Sequence, residues 1–248
     1  MELEQFWMEH PRAAIAFSGG VDSAYLLYSG VKAGARVKAY YAKTPFQPRF
    51  ELEDAQKLAS LLGAEMEVLP LDVLCVPHVA ENPKNRCYYC KRALFTAITQ
   101  KARADGFSLL LDGTNASDEA DDRPGMAALK DLSVRSPLRE CGQTKQTIRR
   151  RTREAGLITW EKPAYAILPT RIPTGEEITP EKLRRTEVAE CYLRSLGLED
   201  FRVRSRGDAA LIQVPQRDLQ TVLNNREKIV AHLKEDYQAV MLDMEVRL

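Results

Sequence analysis

The sequence predicts an α/β protein: a parallel sheet with helices on both faces, followed by a small C-terminal α/β domain. Three observations predict it. Apolar, strand-like runs alternate with helically spaced segments from residue 12 to residue 156, the imprint of crossover connections in a sheet covered on both sides. The stretch WEKPAYAILPTRIPTGEEITP (160–180) then breaks the alternation with four prolines and little periodicity, as a loop or linker does. Finally, 248 residues with 44% hydrophobic content can build one large domain, or one medium and one small. The expected division is 1–169 and 170–248.

In order, RAAIAFS (12–18) reads as a buried strand and VDSAYLLYSGVKA (21–33) as a helix. RVKAYYAK (36–43) is a strand, FELEDAQKLASLLG (50–63) a helix stopped by glycine, and EMEVLPL (65–71) a strand. KRALFTAITQKARADG (91–106) has helical spacing, while SLLLDG (108–113) and LSVRSPL (132–138) are strand-like. The helix KQTIRRRTREAG (145–156) follows, with Thr144 as its N-cap. Beyond the linker come a helix (181–197), two strands joined by a hairpin turn at Gly207-Asp208, a helix (218–234) and a last strand-like run, AVMLDMEVRL.

A formal net charge of +1 gives no global attraction to nucleic acid or membrane, so any anion site must be local. No apolar stretch approaches the roughly 20 residues that span a bilayer. The opening MELEQFWMEHPR has acidic residues and no apolar signal-peptide core. The expectation is a cytoplasmic protein without nucleic-acid or membrane partners. Five cysteines, an odd number, argue for reduced thiols rather than a disulfide framework.

The chemistry is concentrated in AAIAFSGGVDS (13–23), where the first strand stops at Ser18-Gly19-Gly20 and a helix begins. Ligands of an open parallel sheet bind at the carboxyl ends of its strands. Unpaired amides and the dipole of a helix start favour an anion there. Glycines let the backbone approach phosphate oxygens, and the Ser18 and Ser23 hydroxyls can add donors. Asp22 would repel a phosphate unless it held Mg²⁺ or oriented a donor, which suggests a nucleotide–metal site. The nucleotide P-loop G-x-x-x-x-G-K-[ST] and the dinucleotide loop G-x-G-x-x-G are both absent. A plain glycine turn capping a helix is the remaining alternative.

SGGVDS after a first strand resembles the PP-loop of the ATP pyrophosphatases, with their adenine nucleotide alpha hydrolase-like fold. ENPKNRCYYCKRALF, LLDGTNASDEADDRPGMAAL, SPLRECGQTKQTIR and TRIPTGEEIT resemble successive blocks of one family within them, the ATP-dependent sacrificial sulfur transferases of LarE type. RVRSRG and ALIQVP are similar to that family's C-terminal domain, so the resemblance covers nearly the whole chain. It implies ATP and Mg²⁺, and adenylation of a carboxylate on a pyridinium mononucleotide-like acid destined for a nickel-pincer cofactor. Pyrophosphate is released and AMP is then replaced by sulfur. The family's sulfur comes from a sacrificed cysteine or from a [4Fe–4S] cluster. Where the family usually has Cys-Leu-Ala-Ser-Arg, this chain has Ile167-Leu168-Pro169-Thr170-Arg171. Isoleucine cannot donate sulfur, so sacrifice at that position is excluded, and a cluster or a persulfide is an expected source. An adenylating amidotransferase using ammonia, and a nucleotide-binding relative without sulfur chemistry, are the other readings.

Cys87 and Cys90, in NRCYYCKR, are i, i+3 neighbours flanked by Arg86, Lys91 and Arg92, which should favour thiolates. They are candidate cluster ligands, persulfide carriers or a redox pair; two thiols packed on the sheet edge is the plainer reading. Cys141 lies just after the predicted strand 132–138 and is a candidate third ligand or donor. Cys75 and Cys191 read as inert core.

Asp112, Gly113, Thr114 and Asn115 end a strand at the ligand edge; Thr114 and Asn115 can bond a nucleotide, and Asp118 or Asp122 can hold Mg²⁺ through water. Arg123 suits a phosphate or carboxylate. Arg149, Arg150, Arg151 and Arg153 form a basic helix, either a solvated face or an anion path. Arg202, Arg204 and Arg206 share one face of a strand and repel one another unless an anion or carboxylates compensate. The family resemblance assigns Arg202 and Arg204, with Arg171, to the substrate phosphate and places Glu190 in the same site. Gln213 stands where the family often has Glu. A basic face near a domain joint is compatible with a homo-oligomer sharing its substrate site.

Overall fold

The structure, a computed structural model, describes residues 2–118, 123–162 and 166–247, the side chains of residues 123 and 124 excepted. It separates into two compact units, Met1–Pro77 with Asn85–Ala164, and His78–Lys84 with Tyr165–Leu248.

The first unit begins with a helix the sequence did not announce, α1 (Leu3–Glu9), which buries Leu3, Phe6 and Trp7. Strand β1 (Arg12–Ala16) runs parallel to both β2 (Arg36–Lys43) and β4 (Leu110–Leu111), and β3 (Glu65–Pro70) pairs with β2 in the order β3-β2-β1-β4. Helices α2 (Val21–Lys32), α3 (Arg49–Leu61) and α4 (Arg86–Ala104) make the crossovers. Alternation along the strands sorts the core into two layers. Ala13, Ile15, Ala39 and Tyr41 join residues of α1, α2 and α3 on one face, while Ala14 and Tyr40 meet Ile98 and Ala102 of α4 on the other. Burial on both faces is why these strands read as continuous apolar runs.

Three further features of this unit differ from the sequence expectation. The strand expected at 132–138 is a single parallel bridge between Leu111 and Arg135. Pro137, which cannot donate to a ladder, instead starts the short helix α6 (Pro137–Glu140). Helix α4 starts at Arg86 rather than Lys91, so both its cysteines are helical. Helix α5 (Arg123–Asp131) was not anticipated, its Pro-Gly pair having masked the pattern. Helix α7 (Lys145–Glu154) is capped as expected: the Thr144 side chain accepts from the Thr147 amide.

Lys38 is buried in the amino-terminal half of β2, with its Nζ 2.8 Å from carboxylates of Glu65, Glu67 and Asp105. The Tyr40 hydroxyl donates to Asp105 at 2.7 Å. This charge cluster lies away from the carboxyl edge of the sheet.

The second unit is a three-stranded sheet in the order β5-β6-β7. β5 (Arg202–Arg206) and β6 (Ala209–Gln213) form the expected hairpin across Gly207, whose φ is +58°, and β7 (Ala239–Leu242) runs parallel to β6. Helix α8 (Pro180–Ser195) packs Ala189 and Leu193 on Val203 and Ile212. The helix expected over 218–234 is two, α9 (Leu219–Asn224) and α10 (Arg226–Leu233). Asn225, at ψ 8°, leaves helical geometry and its amide caps the Thr221 carbonyl at 2.9 Å. The early segment 78–84 is tied into this unit: Gly175 N–H donates to Asn82 O at 2.8 Å and Ile178 N–H to Ala80 O at 2.7 Å. No described helix is long and apolar enough to cross a membrane.

Candidate functional site

The loop between β1 and α2 sits at the carboxyl edge of the sheet. Gly19 has φ +73°, and a Cβ there would lie 2.9 Å from Ala55 Cβ and 3.2 Å from Ala55 Cα, so α3 packs directly on loop backbone. A Cβ on Gly113 would lie 2.8 Å from the Ser23 backbone nitrogen, pressing the loop after β4 onto the first turn of α2. Two close approaches therefore fix the cradle.

Within it, the Ser18 and Ser23 hydroxyls lie 3.1 Å apart, the Ser18 hydroxyl accepts from the Gly20 amide at 3.3 Å, and the Ser23 hydroxyl donates to the Gly20 carbonyl at 3.2 Å. Helix geometry leaves the amides of Val21, Asp22 and Ser23 without intrahelical acceptors. Asp22 Oδ2 accepts from Lys145 Nζ at 2.5 Å, while Oδ1 is buried without a partner among the described residues. Burial raises the Asp22 pKa; Lys145 opposes the rise and the nearby Asp118 charge adds to it.

The loop after β4 closes the site. Asp112, buried, accepts from Ser136 Oγ at 2.6 Å and from the Thr114 hydroxyl. Burial raises its pKa against those two bonds. The Thr114 hydroxyl is thus committed to its own loop. Asn115 is fully buried, its Oδ1 accepting from the Ser117 amide at 2.8 Å and its Nδ2 lacking a partner among the described residues. Asp118 accepts from the Asn115 amide at 2.8 Å. Gln143 is a second buried amide, its Oε1 also without a described partner. The Arg123 side chain and Asp122 lie outside the described residues.

Lys145 and Gln143 were missed by the sequence reading. The available signal for Lys145 was its position just after the Thr144 cap, at a helix start beside the ligand edge. Three of the four α7 arginines contact other parts of this unit. Arg149 donates to the carbonyls of Trp160 and Lys162, Arg151 reaches the Tyr25 hydroxyl at 3.5 Å, and Arg153 stacks on Trp160 at 4.8 Å.

Cys87 and Cys90 lie in the first turns of α4, the former exposed and the latter buried. The expectation that neighbouring cations make both into ready thiolates fails for Cys90. Burial pushes its pKa up to about 11, outweighing the opposing pull of Arg86 and Lys91. Cys141, half-buried, caps the end of α6 and packs against the core, and burial raises its pKa too. Cys75 and Cys191, expected in the core, are exposed. Among the described residues no three His, Cys, Asp or Glu side chains gather as a metal-binding group.

In the second unit Arg171 is buried and bonds Glu190 through Nε at 2.7 Å and a second nitrogen at 3.1 Å. Glu190 also accepts from the Val203 amide at 3.0 Å. Arg204 reaches Gln213 Oε1 at 2.9 Å and the Thr170 carbonyl at 2.6 Å, and Arg202 donates to the Phe201 carbonyl at 2.6 Å. Burial lowers the pKa of both Arg202 and Arg204, and Arg171 and Arg247 lower it further. Positive charge is concentrated here. Half-buried Ile167 opens the 3₁₀ turn Leu168–Arg171, its carbonyl accepting from the Thr170 amide at 3.0 Å.

No family model matches the chain. It is 42% identical over 221 residues to an uncharacterized protein of Synechocystis sp., covering 88% of this chain and 82% of that protein. It is 32% identical over 236 residues to the pyridinium-3,5-bisthiocarboxylic acid mononucleotide synthase of Lactiplantibacillus plantarum, covering 94% and 86% respectively. A tRNA-specific 2-thiouridylase of Thermotoga petrophila is 29% identical over 143 residues, covering 48% of this chain and 40% of that enzyme.

Proposed function

The chain belongs to the LarE-type sulfur transferase family of PP-loop enzymes, and from that premise we propose that it adenylates a substrate carboxylate and replaces AMP with sulfur. The substrate class is a pyridinium carboxylate mononucleotide, by kinship with the Lactiplantibacillus enzyme. A carboxylate is a poor electrophile because its leaving group would be oxide. Its oxygen attacks the α-phosphorus of ATP, forming an acyl adenylate and expelling pyrophosphate. A sulfur nucleophile then adds to the carbonyl carbon and AMP leaves with the bonding pair.

The observation that carries this reading is the cradle itself: Ser18, Gly19, Gly20 and Ser23 present hydroxyls and helix-start amides at the sheet's carboxyl edge. Asp22 and Asp118 suit Mg²⁺, since Asp22 keeps one buried carboxylate oxygen without a described partner and feels the charge of Asp118. Mg²⁺, when bound, offsets phosphate charge. Asn115, buried with an unsatisfied amide, suits the nucleotide. Arg202 and Arg204 suit the phosphate of the acid substrate, which would offset the burial, and then the repulsion, that lower their pKa.

Because position 167 is isoleucine, sulfur must arrive by another route than sacrifice there. In this reading exposed Cys87 takes an outer sulfur from a sulfane-sulfur donor, whose own thiol leaves; that sulfur attacks the acyl adenylate, AMP departs, and an external thiol then frees the thiocarboxylate by forming a disulfide with the Cys87 sulfur. A [4Fe–4S] cluster on Cys87 and Cys90 would need a further ligand; Cys141 is the candidate from sequence. An anaerobic preparation assayed for iron, acid-labile sulfide and protein persulfide separates the two routes. Pyrophosphate release dependent on the carboxylate substrate, with thiocarboxylate formed and lost in Cys87→Ser, supports the reading. Pyrophosphate release with ammonia incorporation, or thiocarboxylate formation undiminished in Cys87→Ser, overturns it.

A further inference from the structure

We propose that Asp243 is a positioning residue for the acid substrate, acting through Gln213 to hold the Arg204 guanidinium ready for a phosphate; this rests on reading Arg202 and Arg204 as the substrate's phosphate site. Arg204 stands on β5, Gln213 ends β6, and Asp243 directly follows β7. The β6–β7 register that pairs Ile212 with Leu242 brings Asp243 beside Gln213. Alternation puts Arg204 and Gln213 on the sheet face opposite Val203 and Ile212, which pack under α8. Arg204 Nε donates to Gln213 Oε1 at 2.9 Å, and Gln213 Nε2 donates to Asp243 Oδ2 at 2.7 Å. A guanidinium only donates and a carboxylate only accepts, so one orientation of the Gln213 amide satisfies both. Asp243 is itself clamped. Its Oδ1 accepts from the Glu245 amide at 3.0 Å, and its own amide donates to the Ile212 carbonyl at 2.9 Å.

Comparison with Arg171 shows what a purely structural arginine looks like in this unit. Arg171 is buried and bonds the Glu190 carboxylate through two nitrogens, so its charge is met directly. Arg204 is half-buried and bonds two neutral acceptors, Gln213 Oε1 and the Thr170 carbonyl at 2.6 Å. Its third nitrogen, Nη2, has no hydrogen-bond partner among the described residues. The guanidinium is thus fixed at two points while no described carboxylate bonds it. The carboxylate that orients it stands one side chain away, behind Gln213. The Gln213 and Glu245 donors hold the Asp243 carboxyl below the ordinary aspartate range, which keeps it ionised as an acceptor. A cation oriented in advance loses less side-chain freedom when a phosphate binds, and its charge is still there to be used.

The test is calorimetric titration of nicotinic acid mononucleotide and of its dephosphorylated riboside into the full chain. Both probes are pyridinium carboxylates, and they differ by the phosphate alone. Asp243→Ala should weaken the mononucleotide about tenfold and leave the riboside unchanged. Asp243→Asn, which keeps an acceptor for Gln213, should retain most of the affinity. Gln213→Met, which breaks the connection at its middle, should show the same phosphate-specific loss as Asp243→Ala. In a Gln213→Glu background a carboxylate can hold Arg204 directly, so Asp243→Ala should there cost little. Equal losses for mononucleotide and riboside, no loss for the mononucleotide, or a loss undiminished in the Gln213→Glu background overturns the role of Asp243 alone. A parent chain that binds the mononucleotide no better than the riboside, or an Arg204→Ala variant that binds it as tightly as the parent, overturns the phosphate reading beneath it. Circular dichroism verifies folding, and Gln213→Met carries the test if Asp243→Ala does not fold.

Discussion

Arg171 and Glu190 form a two-pronged ion pair with both side chains inside the second unit, one 1% and the other 3% exposed. Glu190→Ala should therefore cost about 3–5 kcal/mol by leaving an uncompensated buried guanidinium. Glu190→Gln, which keeps an acceptor, should cost less. Urea unfolding of the full chain, with a probe in the second unit, measures both.

Gly19→Ala should cripple nucleotide binding and destabilise the first unit by about 1–3 kcal/mol, because the new methyl meets Ala55 and requires a positive φ. Gly20→Ala should be milder. Its φ is −75° and its Cβ would meet only Ser18 Oγ, at 3.4 Å. ATP affinity and thermal melting should rank the two variants in that order.

Asp22→Asn should raise the stability of the free chain while lowering pyrophosphate release. Its folded pKa is raised, so the contribution it makes below the unfolded carboxylate pKa is lost as pH rises through the folded value. At neutral pH the buried charge is a net burden that asparagine removes. A gain in melting temperature at pH 7 that shrinks at pH 4, with turnover reduced, is the expected pair of results.

Cys90, with its pKa pushed up to about 11 from 9.0, contributes stability below pH 9 that is lost between pH 9 and 11. Cys90→Ala should flatten that alkaline decline relative to the parent. At pH 8, iodoacetamide should modify Cys87 well before Cys90, read by peptide mass spectrometry.

At the opposite limit, Lys101, Lys38 and Tyr40 hold the Asp105 carboxyl well below its ordinary range. Its contribution is present above the unfolded pKa near 4 and lost as pH falls below it. Asp105→Asn should lower stability at neutral pH and make the acid decline shallower, as melting temperatures from pH 6 to pH 2.5 would show.

The sheet was legible because Ala13, Ala14 and Ile15 are apolar in succession and stop at glycines, as a short strand covered on both faces does. The cradle was legible because Gly19 and Gly20 sit where such a strand ends. What escaped was set by contacts between residues far apart in sequence. Nothing local to Lys145 announces Asp22, 123 positions away. Cys87 and Cys90 look equivalent in the sequence, yet the packing of α4 exposes one and buries the other. The resemblance put Arg171 and Glu190 in one site, but nothing local to either announced that they, 19 residues apart, pair with each other in the interior. Strand 132–138 failed for a local reason that was visible, since Pro137 has no N–H for a ladder.

The tie between residues 78–84 and the loop at 173–178 sets an order of assembly. A ribosome emits Ala80 and Asn82 more than 90 residues before their hydrogen-bond partners Ile178 and Gly175. The second unit therefore cannot complete itself as an autonomous tail, and the early strap must wait, solvated, while most of the first unit emerges. A gene cut to begin at residue 165 would lack a piece of its own product. Supplying 78–84 as a separate peptide, or fused to that fragment's amino end, is the edit that should make the excised unit whole.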